Sequence, residues 1–300
     1  MLALLTQTTA NAQPKPAFVY ESMLDTFFHP ESGTIRFDAY DLAFAPEPPL
    51  GAEVVITDEA GTILTRFPFR PDYRFTQGVF ARAQVQGPAE FTLTKPGVYN
   101  IIFLIDGQPA SRLPVVLEET STGDDPFNPS KSYRFFGLWH VFAHLTMKNA
   151  KEKPYPVLTF WVGSRDLKPG TDKDTLTITL KRDGEPVAHS LRNKGHIASG
   201  HYKRTEHTLY HPHEERESHL AEIFMLEDWT KDGAYELIVT RTSDNTTIRN
   251  FLYTAKDGNI EHLPDTKLGF EPHIDYVVPR VVTKNVNLYG FSEAIWLRSR

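Results

Sequence analysis

The chain contains no cysteine in 300 residues, which excludes disulfides, thiolate metal sites and cysteine nucleophiles together. Any metal would have to be held by imidazole and carboxylate. Basic residues are not in excess either: 32 Lys and Arg stand against 38 Asp and Glu, a net charge of −6. A nucleic-acid partner, which calls for a basic stripe, is therefore not expected. No apolar run approaches the ~18 residues of a membrane-spanning helix, so no transmembrane segment is expected. The sequence also lacks a Gly-x-Ser-x-Gly elbow, a phosphate-cradling glycine loop and an Asp-rich calcium loop of the EF-hand kind. Carboxylate pairs for glycoside hydrolysis stay open, because their geometry is tertiary.

What is present is the composition of a folded globular protein, 40% hydrophobic and 23% charged. The length suits two domains of ~100 to 150 residues. Residues 1–12 resemble the end of a secretory signal, with apolar Leu2 to Leu5 and an Ala10-Asn11-Ala12 cleavage pattern before Gln13. The segment lacks the usual basic residue, and its apolar stretch is shorter than ~7 residues. It predicts a remnant of a signal peptide and a periplasmic or secreted location.

Period-2 alternation dominates the rest. Ile35, Phe37 and Ala39 alternate with Arg36, Asp38 and Tyr40, and similar runs recur at 52–57, 91–94, 99–105, 175–180, 235–241 and 248–254. Turn dipeptides such as Asp106-Gly107, Asp183-Gly184 and Asp257-Gly258 punctuate them. Long amphipathic helices are not evident; the best helical candidate is 214–226. Many short strands with Gly and Pro turns predict an all-β protein of sandwiches.

Three segments repeat in the same order. Residues 33–42 set beside 137–146, 52–64 beside 175–188, and Gly97-Val98-Tyr99 beside Gly233-Ala234-Tyr235. The repeat predicts one sandwich over 16–118 and another over 132–260, joined by a polar linker at 119–131. A C-terminal extension, 261–300, is too short for a third sandwich and is expected to pack on one of the two as extra strands. Tyr99 and Tyr235 should then occupy equivalent, buried places.

The run Pro96-Gly97-Val98-Tyr99, then Phe103 to Pro109, then Leu113 to Leu117, resembles the closing hairpin of bacterial immunoglobulin-like domains. That resemblance implies two tandem immunoglobulin-like β-sandwich domains. It implies adhesion, ligand binding or spacing as functions, and selects no chemistry.

Histidine is unevenly placed: seven of the twelve fall between His189 and His219. Leu64 and Gly97 are 33 positions apart whereas Ala188 and Gly233 are 45 apart, so the second repeat carries an inserted, His-rich stretch. His207, His211 and His213 are the candidate ligands for a transition metal such as zinc. The interleaved Lys203, Arg204, Glu206 and Glu214 to Glu217 instead suit a solvated surface loop, whose histidines would titrate independently near ~6.5. A second candidate is the strand 138–145, on which Leu138, His140, Phe142 and His144 share one face. The first repeat has Arg36, Asp38 and Tyr40 there, so this face should be covered, by the C-terminal segment, by the other domain, or by a ligand or partner bound at His140, Phe142 and His144. Trp161 and Trp229 suit sugar stacking or, more simply, the core.

Together these features predict a non-enzymatic exported binding or structural module of the cell envelope, without a cofactor, whose partner is a protein or a polysaccharide. The rival is a metal-dependent or carbohydrate-active enzyme with its site on the His-rich loop or at the domain interface.

Overall fold

Three Asp-Gly pairs turn the chain as their chemistry requires. Asp106-Gly107, Asp183-Gly184 and Asp257-Gly258 hold φ of 50° and 74°, 52° and 90°, and 50° and 78°. Positive φ at both central residues defines the hairpin turn that matches strand twist, and glycine adopts it without a Cβ penalty. The computed structural model describes residues 17–19, 28–29, 33–36, 42–45, 51–77, 80–87, 90–122, 130–137, 140–150, 153–191, 195–198, 203–212, 222–262 and 295–299.

The chain is all-β, built from antiparallel sheets. The first main sheet uses β1 (Ala17–Val19), β4 (Leu42–Ala45), β5 (Ala52–Asp58), β6 (Ile63–Gln77), β7 (Phe80–Val85), β9 (Gly97–Ile105), β10 (Gln108–Thr122) and β11 (Ser130–Gly137). The second uses β12 (Phe142–Ala150), β13 (Lys153–Val162), β14 (Lys173–Arg182), β15 (Glu185–Ser190), β17 (Lys203–Tyr210), β18 (Gly233–Arg241), β19 (Thr247–Lys256) and β20 (Asn259–His262). Across the first, the order is β1-β4-β7-β6-β5-β9-β10-β11; across the second, β12-β13-β17-β15-β14-β18-β19-β20. Numbered within each sheet by chain position, both read 1-2-5-4-3-6-7-8. Two halves of one chain thus follow the same path. The second path has one strand more, β21 (Ile295–Arg298), added at the β12 edge; off the paths, β2 (Phe28–His29), β3 (Thr34–Arg36) and β8 (Glu90–Thr92) form a small sheet and β16 (His196–Ala198) pairs with β14.

The second path folds over on itself. Between β15 and β17 the ladder is two residue pairs, His189 with Tyr210 and Ser190 with Leu209. Beyond that narrow join one core draws from both layers: Leu145, Leu158 and Phe160 on one side, Ile178, Leu237, Val239 and Phe251 on the other. The Phe160 and Phe251 ring centroids are 6.5 Å apart. This is sandwich packing, in which alternating side chains of two layers interdigitate.

Tyr99 and Tyr235 are each the third residue of the sixth strand, and both are buried. The Tyr99 hydroxyl donates to the Lys95 carbonyl at 2.6 Å; that of Tyr235 donates to the Lys231 carbonyl at 2.9 Å and lies 2.9 Å from the Asp228 carbonyl. In both repeats the acceptor is four residues upstream. Tyr235→Phe should lower unfolding free energy by about 1 to 2 kcal/mol and Tyr99→Phe by about 1, since each leaves a carbonyl without its hydroxyl. Urea titration checks both, and no loss at either position would mean that the hydroxyls do not hold these corners.

Three expectations change. The stretch 119–131, read as a linker, lends both ends to a hairpin: Glu119 pairs with Tyr133, Ser121 with Lys131 and Thr122 with Ser130. Strand β11 completes the first sheet. Residues 33–42 do not stand where 137–146 stand, because β3 pairs with β2 and β8, whereas β12 pairs with β13 and β21. The place of β12 in the first sheet belongs to β1. Strand 138–145 is also shorter than its alternation suggests: His140 and Val141 form a turn, β12 starts at Phe142, and Leu138 and Trp139 lie outside the described residues.

Of the C-terminal extension, β21 is described and 263–294 is not. Leu297 is fully buried in the second core, Ser299 N–H donates to the Val141 carbonyl at 2.7 Å, and the Asn250 N–H donates to Ser299 Oγ at 3.2 Å. The best helical candidate, 214–226, falls mostly outside the described residues; among the described residues the α-helix is α1 (Leu226–Trp229), of one turn.

Candidate functional site

The three residues expected to face a ligand are covered. His140, Phe142 and His144 are 5%, 2% and 2% exposed, and their neighbours Thr159 and Trp161 are as buried. Phe142 and His144 share a face of β12; His140 precedes it in the turn. The His144 ring lies 5.8 Å from Trp161, and the Arg298 guanidinium of β21 sits 6.0 Å from the Phe142 ring centroid. The C-terminal strand thus takes part in this cover. His140 packs 5.4 Å from the Phe136 ring of β11, and the Gly137 N–H is placed to donate to its Nδ1 at 3.1 Å. Burial, reinforced by the charges of Arg249 and Arg165, pushes the His140 imidazole down to about 3, so it is neutral near pH 7.

His207 and His211, the two candidate metal ligands that are described, stand apart. His207 is in β17, not in a loop, on the buried side with Thr205 and Leu209. Its ring stacks on Phe160 at 5.5 Å and 16°, and its Nε2 lies 2.7 Å from Thr205 Oγ. A Cβ on Gly195 would come within 2.7 Å of the ring, so glycine is required for β16 to lie so close. Burial pushes the His207 imidazole down to about 4. His211, four residues on, is ~13 Å further along at strand rise. There its Nε2 lies 3.2 Å from Asp228 Oδ2. His213 lies outside the described residues, and among the described residues no three His, Asp or Glu converge on a common point. His189 and His196 also belong to strands, β15 and β16.

Asp228 is held from three sides. Burial raises its carboxyl, but the Lys231 ammonium at 2.6 Å and His211 prevail and hold it below its ordinary range. Trp229 and Trp161 are core residues; Trp229 Nε1–H donates to the Phe224 carbonyl at 3.3 Å, and its ring stacks 6.3 Å from Tyr253.

One cluster escaped the sequence reading. Arg241 and Arg249 are buried at the end of the second core, and Asp166, from the 3₁₀ turn Ser164–Asp166, reaches between them. Arg249 Nη1 donates to Asp166 Oδ1 at 2.7 Å, Gly163 N–H to Asp166 Oδ2 at 3.0 Å, and Arg241 Nη1 to the Asp166 carbonyl at 3.0 Å. Asp244 takes the other side of Arg241 through two bonds of 3.0 and 2.7 Å. A signal was available: Arg241 continues the inward phase of Tyr235, Leu237 and Val239, and Arg249 that of Phe251, Tyr253 and Ala255. A cation in phase with a core stripe on two adjacent strands demands a buried carboxylate.

An open groove of about 300 Å³ lies beside α1 in the second repeat. Pro154, Met225, Leu226, Thr230 and Gly258 line it, and Lys153 and Glu227, 3.9 Å apart and exposed, belong to the same lining. A small cleft of this kind, with one charge of each sign beside it, can take an extended chain or a sugar. Comparison of the chain with protein-family models, curated proteins and solved structures finds no match.

Proposed function

We propose that the protein is a non-enzymatic binding or structural module exported to the cell envelope, built from two immunoglobulin-like sandwiches in tandem. The observation that carries the reading is the doubled strand order. Lettered A to H along each sheet, the path runs A-B-E-D-C-F-G-H; in the second repeat it folds over between E and D, giving layers A-B-E and D-C-F-G-H, a division that differs from the A-B-E-D and C-F-G layers of an immunoglobulin domain by the side on which D pairs. The tyrosine that opens strand F, bonded to a carbonyl four residues back, supports the reading in both repeats. Such scaffolds present partners with loops and strand edges, and the groove beside α1 is the partner site in this reading, with a protein or a polysaccharide as its occupant.

Co-sedimentation of the purified protein with isolated envelope fragments, and with their polysaccharide and protein fractions separately, tests this. Saturable retention on one fraction is expected, with no new reducing ends released. Met225→Glu, in the groove lining, should weaken retention roughly tenfold or more. Release of reducing ends that depends on added zinc would overturn the reading in favour of an enzyme.

A further inference from the structure

The two repeats differ in one outward face. In the first, β10 directs Arg112, Pro114, Val116 and Glu118 away from the core, and β9 directs Val98, Asn100, Ile102 and Leu104. Val98 and Val116 sit directly across from one another and are 37% and 36% exposed. Phe136 of β11 continues the same row opposite Val116. Aligned on Tyr99 and Tyr235, the second repeat has Ala234 opposite Thr254 where the first has the two valines, and Thr240 where the first has Leu104. Its outer face is stitched by polar contacts, with Asn250 Nδ2–H donating to Glu236 at 2.8 Å and Lys181 at 3.8 Å from Glu236. Ile238, Ile248 and Leu252 also point outward in the second repeat, half-buried as Ile102 and Leu104 are in the first; what sets the first face apart is the facing pair of exposed valines, and exposed aliphatic side chains grouped on a sheet face are a sign of an interface.

The order of charge along β10 points to the occupant. A cation, two apolar residues and an anion follow one another at every second position. When such a strand is laid face to face on a copy of itself running the opposite way, Arg112 meets Glu118 of the other copy at both ends. Pro114 and Val116 then meet in the middle. A parallel stack would set like charges together. We propose that this face is a self-association surface, on which a second copy of the chain packs about a two-fold axis with β10 antiparallel to β10. The axis lies in the plane between the sheets, level with Val115, and the interface is isologous, so each favourable pair occurs twice. Sheets stacked about 10 Å apart put the Arg112 and Glu118 side chains within reach across the gap. The surface lies on the first repeat, away from the groove beside α1, and does not depend on what that groove binds.

Sedimentation equilibrium on the whole chain and three variants tests the proposal. Wild type is expected to be a dimer at micromolar concentration. Val116→Lys replaces an exposed side chain, so its melting temperature should be kept while the dissociation constant rises roughly tenfold or more. Arg112→Glu sets glutamate against Glu118 of the other copy and should weaken the dimer to a similar degree. The double reversal Arg112→Glu with Glu118→Arg should recover most of that loss, because the antiparallel pairing is rebuilt with opposite sense. A wild type that stays monomeric to about 100 μM, far weaker than a specific interface would be, overturns the proposal. So does a dimer indifferent to Val116→Lys, and so does a double reversal no tighter than the single one.

Discussion

Lowering the pH from 7 to 5 should cost the fold about 4 kcal/mol, about 2 from each of His140 and His207. Both imidazoles are buried and neutral, held down to about 3 and about 4, whereas in the unfolded chain they protonate near ~6.5. Below that value the unfolded state binds more protons than the folded one. Their contribution to stability is thus complete above pH 6.5, falls as pH drops, and stops changing only below the folded values. The carboxyl of Asp228 acts in a lower window: its folded value is depressed, so its contribution is lost only as pH falls below the ordinary carboxylate range. Urea unfolding at pH 7, 6 and 5 measures the slope. His207→Leu should lose stability at pH 7 and yet show a pH 7-to-5 loss smaller than wild type by about 2 kcal/mol. Equal slopes in the two proteins would place His207 in water and sink the argument.

The same histidine shows where the sequence was readable and where it was not. Asp-Gly turns and period-2 runs located most of the described hairpins, because local chemistry alone dictates them. Gly-x-Tyr located the sixth strand twice for the same reason. At 203–210 the charges of Lys203, Arg204 and Glu206 suggested a loop, yet Thr205, His207 and Leu209 alternate with two of them. A strand with one wet face carries its charges in that rhythm, and a polar inward residue disguises it. The alignment of 33–42 with 137–146 failed for a different reason. Both are short amphipathic strands, and amphipathicity does not say which neighbour a strand will pair with. Of the candidate metal ligands, His207 and His211 are set apart because an extended chain separates side chains that are close in sequence, while His213 lies outside the described residues.

Arg249 and Asp166 set the largest effect of a single substitution. Asp166→Asn keeps the shape of the side chain and its bond from the Gly163 N–H, but removes the charge that Arg249 Nη1 meets at 2.7 Å. Arg249 also gives Nη1 to its neighbour Ile248 carbonyl at 2.7 Å, a dipole that does not neutralise it. Both partners are buried, so water cannot replace the lost carboxylate, and an uncompensated buried guanidinium costs about 3 to 5 kcal/mol. Arg241 is spared, because Asp244 pairs with it independently and its bond to the Asp166 carbonyl does not involve the side chain. The double variant Asp166→Asn with Arg249→Met removes both charges and fills the space with a flexible apolar chain, so it should be more stable than Asp166→Asn alone. Denaturant titration of the three proteins at pH 7 decides it. A single variant within about 1 kcal/mol of wild type, or a double variant less stable than the single, would mean that the pair is solvated and that this end of the second core is open to water.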